Sequence, residues 1–345
     1  LTAARDWVRS TREQVATGSY LADSNVTLAQ LADDWLASKR DVRPITLAGY
    51  ANAIRPALDR LGTRPVQTIT RRDVEEVVTW SSSSGGKWGG PLSQRSVSYL
   101  VITLRQLLDF AVDAGLVASN VAARVQAPRR TAADHKARTV WTAAQLVAFR
   151  TVADRDPWAG VWRLVLAGLR RSEVLGLSWD HLDLDQGTVS VTQGRVLLAK
   201  GETSTDSPKS SASRRTVPLE AMHPGSVALL RALRTQQARD RLAAGSAWHG
   251  SDLVVIDGIG RPVHPDALTD GWRRLCREAG VPETGTHAIR HALATSLHGV
   301  GVAPADASAM LGHEVATHLG HYVTSSQAGV GRAADRMAQL LAAEG

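Results

Sequence analysis

The chain has 345 residues, 43% hydrophobic and 21% charged, an ordinary globular composition that excludes disorder along its whole length. Its single cysteine, Cys276, excludes an internal disulfide framework and fits a reducing compartment, and no run of about 18 apolar residues marks a membrane span. The net charge is +7, and +5 of it lies in the first 130 residues, with 17 basic and 12 acidic; this fits a polyanionic partner, most simply nucleic acid, or merely the arginine-rich codon usage of a GC-rich genome.

The opening residues 1–20 read as a short helix over 3–16 ended by Gly18, with no signal peptide; the start at Leu1 rather than Met reads as a trimmed beginning. Four helical patterns follow. Thr27 caps a stripe of Leu28, Leu31, Trp35 and Leu36. Thr46 opens a second, with Tyr50, Ile54, Leu58 and Leu61, ended by Gly62. Thr70 opens a third, with Val74, Val77 and Val78. Ser93 opens a long fourth whose Val97, Leu100, Val101, Leu104, Leu107, Leu108, Ala111 and Val112 recur at helical period, stopped by Gly115. Residues 81–91, SSSSGGKWGGP, read as a flexible loop by composition. Residues 21–118 are therefore expected to form a small all-α domain, and the polar, basic stretch 119–139 a linker.

Beyond it the pattern mixes. Helices are expected over 142–153 and 157–178, short strands over 188–192 and 215–219, and a mobile hairpin loop over 200–214. Helices resume near 226–243, 265–279, 286–299, 303–311 and 332–343. The expected fold is mostly α with a small antiparallel sheet: a helical domain followed by a larger α+β domain, residues 140–345, ending in a tail helix.

Four islands of the second domain carry chemistry-bearing residues. They are Gly168-Leu169-Arg170-Arg171-Ser172-Glu173; Pro208-Lys209-Ser210, just before Arg214-Arg215-Thr216-Val217-Pro218; His287-Ala288-Ile289-Arg290-His291; and Leu311-Gly312-His313, with Tyr322 nine residues after the histidine. Each alone is compatible with a surface ion pair or a chance spacing. In this order the four resemble the tyrosine recombinases, the phage-integrase family of site-specific DNA recombinases, over roughly residues 20–340. The run before the nucleophile position is Thr317-His318-Leu319-Gly320-His321-Tyr322, with a histidine before the tyrosine where the family commonly has one after it.

The resemblance implies a helical core-binding (SAM-like) domain, an α+β catalytic domain, and a connector at 1–20 following an arm-binding domain that is missing here. It implies the catalytic set Arg170, Lys209, His287, Arg290, His313 and Tyr322, with Glu173 in support. It also implies strand cleavage and rejoining through a 3′-phosphotyrosine and a four-way junction, on duplex DNA held between the domains, by a homotetramer that needs neither cofactor nor metal. Accessory DNA-bending or directionality proteins and a bacterial cytoplasmic, nucleoid-associated setting are further expectations.

The residue chemistry agrees. A tyrosine hydroxyl can attack phosphorus and keep the bond energy, so no ATP is required. Two guanidiniums suit the non-bridging oxygens, and a lysine can protonate the leaving 5′ oxygen. The resemblance gives His287 proton exchange with the tyrosine and His313 donation to the phosphate. The expected DNA-facing positions, from helix starts and the basic linker, are Lys39, Arg43, Thr46, Ser93, Gln94, Arg95, Arg129 and Arg130, with Arg124 also in the linker. Two other readings stay open: a metal-dependent nuclease using His287, His291, His313, His318 and His321, and a DNA-binding module without catalysis. Neither H-E-x-x-H nor a cysteine pair is present to favour the metal.

Overall fold

The computed structural model describes residues 21–86, 88–129, 141–197, 203–206, 214–312 and 314–316, with Arg9, Leu319, Met337 and Gln339 as single positions. The chain divides into two units, Leu1–Lys136 and Ala137–Gly345. The expected helix at 3–16, apart from Arg9, and the tail helix at 332–343, apart from Met337 and Gln339, lie outside the described residues.

The first unit is built from α1 (Leu28–Ser38), α2 (Pro44–Leu61), α3 (Arg71–Ser83) and α4 (Gln94–Asp113). Three of the caps expected from sequence are present. The hydroxyls of Thr27, Thr70 and Ser93 each accept a backbone N–H of the first turn, and Gln30 and Asp73 close reciprocal capping boxes. Arg64 Nη1 adds a 2.5 Å bond to Asp73, and with the Thr70 contacts this holds the Asp73 carboxyl down at about 2. Helix α2 begins at Pro44 rather than Thr46, because proline at the first helical position has a preset φ and no N–H to lose. The apolar stripe of α4 is buried from Val97 to Ala111 against Leu28, Leu31, Trp35, Ile54, Val74 and Val77, while Val112 is only half-buried.

Two expectations fail here. Ser81 to Ser83 belong to α3, and Ser81 is fully buried, so the loop begins only at Ser84. The segment 119–129 is also no free linker. Ala122 and Val125 sit in the helical core, and Arg105 of α4 donates to the carbonyls of Ala122 and Val125. Asn120 Nδ2 donates to Arg105 O and Asp109 Oδ1, while its own Oδ1 accepts from Ala122 N. Two small apolar anchors in a polar, basic run leave no periodic signal, so the sequence pattern could not show them.

The second unit carries α5 (Ala143–Ala153), α6 (Ala159–Leu166), α7 (Arg171–Leu175), α8 (Ser226–Ala244), α9 (Pro265–Glu278), α10 (Thr286–Gly299) and α11 (Pro304–Leu311). Its sheet is antiparallel, with β1 (Leu182–Asp183), β2 (Thr188–Val191) and β5 (Arg215–Val217) in the order β1-β2-β5. A separate hairpin pairs β3 (Gly194–Leu197) with β4 (Thr203–Asp206). The expected loop at 200–214 thus contains a strand, β4. Its Thr-Ser-Thr-Asp sequence lacks the apolar alternation of a half-buried strand, and backbone pairing with β3 makes it one.

An aromatic core fixes the scaffold. Trp141 stacks on Trp272 with centroids 5.4 Å apart, and Phe149 lies 4.4 Å from Trp272. The indole N–H groups also tie down the chain before α10: Trp141 donates to Pro282 O and Trp272 to Thr284 O. The core thereby sets where α10 begins.

Candidate active site

The expected single helix over 157–178 breaks at Gly168. Its φ of +83° is left-handed, and a Cβ there would meet Leu311 and Leu293 at 3.1 and 3.2 Å. The break ends α6 and lets Arg170 stand as the N-cap of α7. Arg170 N donates to Glu173 Oε2 at 2.8 Å, Nη1 to Oε1 at 2.5 Å, and Nη2 to Gly312 O at 2.9 Å. Its side chain is 30% exposed, so the guanidinium reaches solvent while anchored from behind.

Glu173 is buried, and a second arginine holds it. Arg215 Nη2 lies 2.9 Å from Oε2 and Nη1 3.3 Å from Oε1, while Arg215 Nε donates to Met310 O at 2.9 Å. Burial alone would raise the Glu173 carboxyl. The hydrogen bonds and charge of Arg215, with the charge and backbone N–H of Arg170, outweigh it and hold the group down at about 2.

Arg290 lies on α10 and is almost wholly buried, at 1% exposure. Its Nη1 donates to Gly168 O at 2.7 Å and its Nη2 to Gly312 O at 3.4 Å. The guanidiniums of Arg170 and Arg290 therefore meet at one carbonyl oxygen. Gly312 ends α11 with φ +62°, and a Cβ on it would come within 2.7 Å of Arg215 Nη1. Only glycine fits both its backbone conformation and this approach. His287 is exposed on the same helix as Arg290, its ring edge-on to His291 with centroids 5.1 Å apart.

The structure thus gathers Arg170, Glu173, Arg290 and the Gly312 carbonyl, with His287 on the helix that carries Arg290. Lys209, His313 and Tyr322 lie outside the described residues. Among the described residues, no group of three His, Cys, Asp or Glu side chains is arranged to hold a metal ion. Sequence reasoning gave Arg215 no role. The available signal was strand alternation, since Val217 points into the core and Arg215, two residues earlier, shares its face. A charge on the inward face of a strand needs a partner.

In the first unit, Lys39 is half-buried with its ammonium 4.6 Å from the Trp35 ring. Arg43 is the N-cap of α2 and Thr46 lies in its first turn. Ser93 caps α4, and Arg95 and Arg129 are exposed. Gln94 Nε2 donates to Arg129 O at 2.7 Å, so that amide nitrogen ties α4 to the following segment. Arg130 lies outside the described residues.

The model of the phage integrase family matches residues 160–328, and that of the phage integrase N-terminal SAM-like domain matches residues 33–115. The chain belongs to the phage integrase family. An integrase of Streptomyces ambofaciens is 24% identical to this chain over 326 residues, 90% of this chain and 79% of the relative. A XerC-like tyrosine recombinase of Caldanaerobacter subterraneus is 32% identical over 158 residues, which span 42% of this chain and only 39% of that relative. In fold, the chain is similar to the Tn1549 transposon integrase in complex with transposon right end DNA, with a TM-score of 0.68 at 19% identity, covering 90% of this chain and 99% of the other. It is also similar to a lambda integrase tetramer bound to a Holliday junction, with a TM-score of 0.58 at 16% identity, covering 89% and 81%. The expected architecture, a SAM-like helical domain followed by a mostly helical catalytic domain with a small antiparallel sheet, is the one found. Among the described residues, no helix is long and apolar enough to cross a membrane.

Proposed function

We propose that this chain is a site-specific DNA recombinase that cuts one strand per subunit with Tyr322. The observation that carries the reading is the convergence of Arg170 and Arg290 on Gly312 O, directly before His313 in the chain. Two adjacent fixed cations suit the two non-bridging oxygens of a phosphodiester, whose charge grows in the transition state. The Tyr322 hydroxyl attacks phosphorus, the bond to the 5′ oxygen breaks, and Lys209 supplies the proton to the departing oxygen. His287 exchanges the tyrosine proton and His313 donates to the phosphate. The 3′-phosphotyrosine conserves the bond energy, and attack by the 5′ hydroxyl of a second duplex reverses the step with no cofactor.

The first unit contributes the helix starts around Arg43, Thr46, Ser93 and Arg95, with exposed Arg124 and Arg129, as phosphate-contacting positions. A homotetramer on two core sites passes strands through a four-way junction in the bacterial cytoplasm, with accessory DNA-bending or directionality proteins. The test is Tyr322→Phe. It is expected to bind core DNA with affinity within about twofold of the parent, because the hydroxyl supplies little binding energy, and to cut nothing. Cleavage at the parental rate by this variant would refute the reading.

A further inference from the structure

We propose that Arg215 is a positioning residue of the cleavage site, a buried strut that balances and orients Glu173 so that Arg170 stays directed at the scissile phosphate. The inference rests on the recombinase reading given above. Glu173 carries one negative charge and two arginines, and the two differ in reach. The Arg170 side chain is 30% exposed, while that of Arg215 is 5% exposed and is engaged by both Glu173 oxygens and by Met310 O. Both Arg215 Nη atoms are taken up by Glu173 and its Nε by Met310 O, so its donors serve the protein rather than substrate, and a charge so enclosed is stable only with partners.

Its contacts join three elements: its own strand β5, the first turn of α7, and the end of α11. It also packs on Gly312, whose carbonyl receives both Arg170 and Arg290. The charge count explains the effect. With Arg215 present, the group of Arg170, Glu173 and Arg215 carries a net positive charge. Arg170 and Glu173 already stand 2.5 Å apart; without Arg215 they are left as a neutral ion pair, and the carboxylate competes with the phosphate for the guanidinium. The described charged groups acting on Glu173 are Arg170 from its own helix and Arg215 from β5.

Charge balance separates this role from a merely structural one. Arg215→Gln is expected to bind core DNA within about threefold of the parent but to form covalent adduct at least about tenfold more slowly, since Glu173 is then left with Arg170 as its charged partner and holds that guanidinium back from the phosphate. Adding Glu173→Gln removes that carboxylate, so the double variant is expected to form adduct at least about threefold faster than Arg215→Gln alone. A strut that only held the fold would make the double variant equal or worse. The measurements are single-turnover adduct formation on a nicked core-site duplex and DNA affinity by titration, with melting monitored by circular dichroism. If Arg215→Gln does not fold, Arg215→Lys takes its place; it keeps the charge but cannot span both oxygens and Met310 O. A lysine variant slower than the parent at equal DNA affinity supports the inference. Parental rates in Arg215→Gln or Arg215→Lys, or a double variant no faster than the single, would overturn it. Absence of adduct from the parent chain would instead refute the recombinase reading, and the inference with it.

Discussion

Gly312→Ala tests whether one glycine carries the site. Two costs fall on it, and a second glycine separates them. Gly280, in the same unit, has φ +64° and nothing within 4 Å of an added Cβ. Gly280→Ala therefore reads only the left-handed backbone, about 1–2 kcal/mol. At Gly312 the φ is +62°, and the new methyl meets Arg215 Nη1 at 2.7 Å and Cδ at 3.1 Å. Arg215 must move off Glu173, or the Gly312 carbonyl must move off Arg170 and Arg290. Losing one such buried, charge-assisted contact adds roughly 1.5–3 kcal/mol. The melting temperature of the second unit is expected to fall by about 2–8 °C in Gly280→Ala and by about twice as much in Gly312→Ala. Adduct formation on a nicked core-site duplex should stay at the parental rate in the first and drop about 10²-fold in the second, the scale of one misplaced transition-state donor. Equal melting shifts in the two variants, or parental cleavage by Gly312→Ala, would refute the assignment of Gly312 as the shared anchor.

Glu173 should also make stability pH-dependent. Its carboxyl is held at about 2 in the fold against an ordinary 4.5, so its contribution, on the order of 3 kcal/mol, is complete above pH 4.5 and disappears as the pH falls toward 2. The gap in melting temperature between the parent and Glu173→Gln should therefore close over that window; a gap that stays constant would contradict it. Lys209→Ala should slow cleavage of a normal phosphodiester far more than that of a duplex with sulfur at the 5′ bridging position, since a thiolate leaves without a proton. Equal damage on both duplexes would remove Lys209 as the general acid. Asn120→Ala should lower the stability of the first unit by about 1–2 kcal/mol in urea titration, because it ties residues 120–122 to α4; an unchanged midpoint would mean that this segment is not clamped.

Most of the fold was legible where one physical rule dominated. The caps Thr27, Thr70 and Ser93 and the stripe of α4 stand in the sequence as they stand in the structure, because capping and helical periodicity are local. The docking of 119–129 through Ala122 and Val125 is tertiary, and two small residues give no pattern. Strand β4 exists through pairing with β3 rather than through its own composition. At the site, the resemblance picked out Arg170, Glu173 and Arg290, and the structure brings them together. It could not show that Arg290 is buried and bound to Gly168 O and Gly312 O, nor that Arg215 shares Glu173. The Arg290 contacts depend on two left-handed glycines, Gly168 and Gly312, whose carbonyls one side chain bridges across distant parts of the chain. The sequence shows the glycines, but not that their carbonyls receive arginines.

The central claim is that a tyrosine of this chain becomes covalently joined to DNA. The direct measurement is to trap the chain on a nicked core-site duplex that loses its 5′ fragment after cutting, in excess EDTA, and to map the DNA-linked peptide by mass spectrometry. The expected product is a 3′-phosphotyrosine at Tyr322, formed in the chelator and absent from Tyr322→Phe. An adduct mapping to another residue, or cutting that leaves no adduct and needs an added divalent metal, would contradict it.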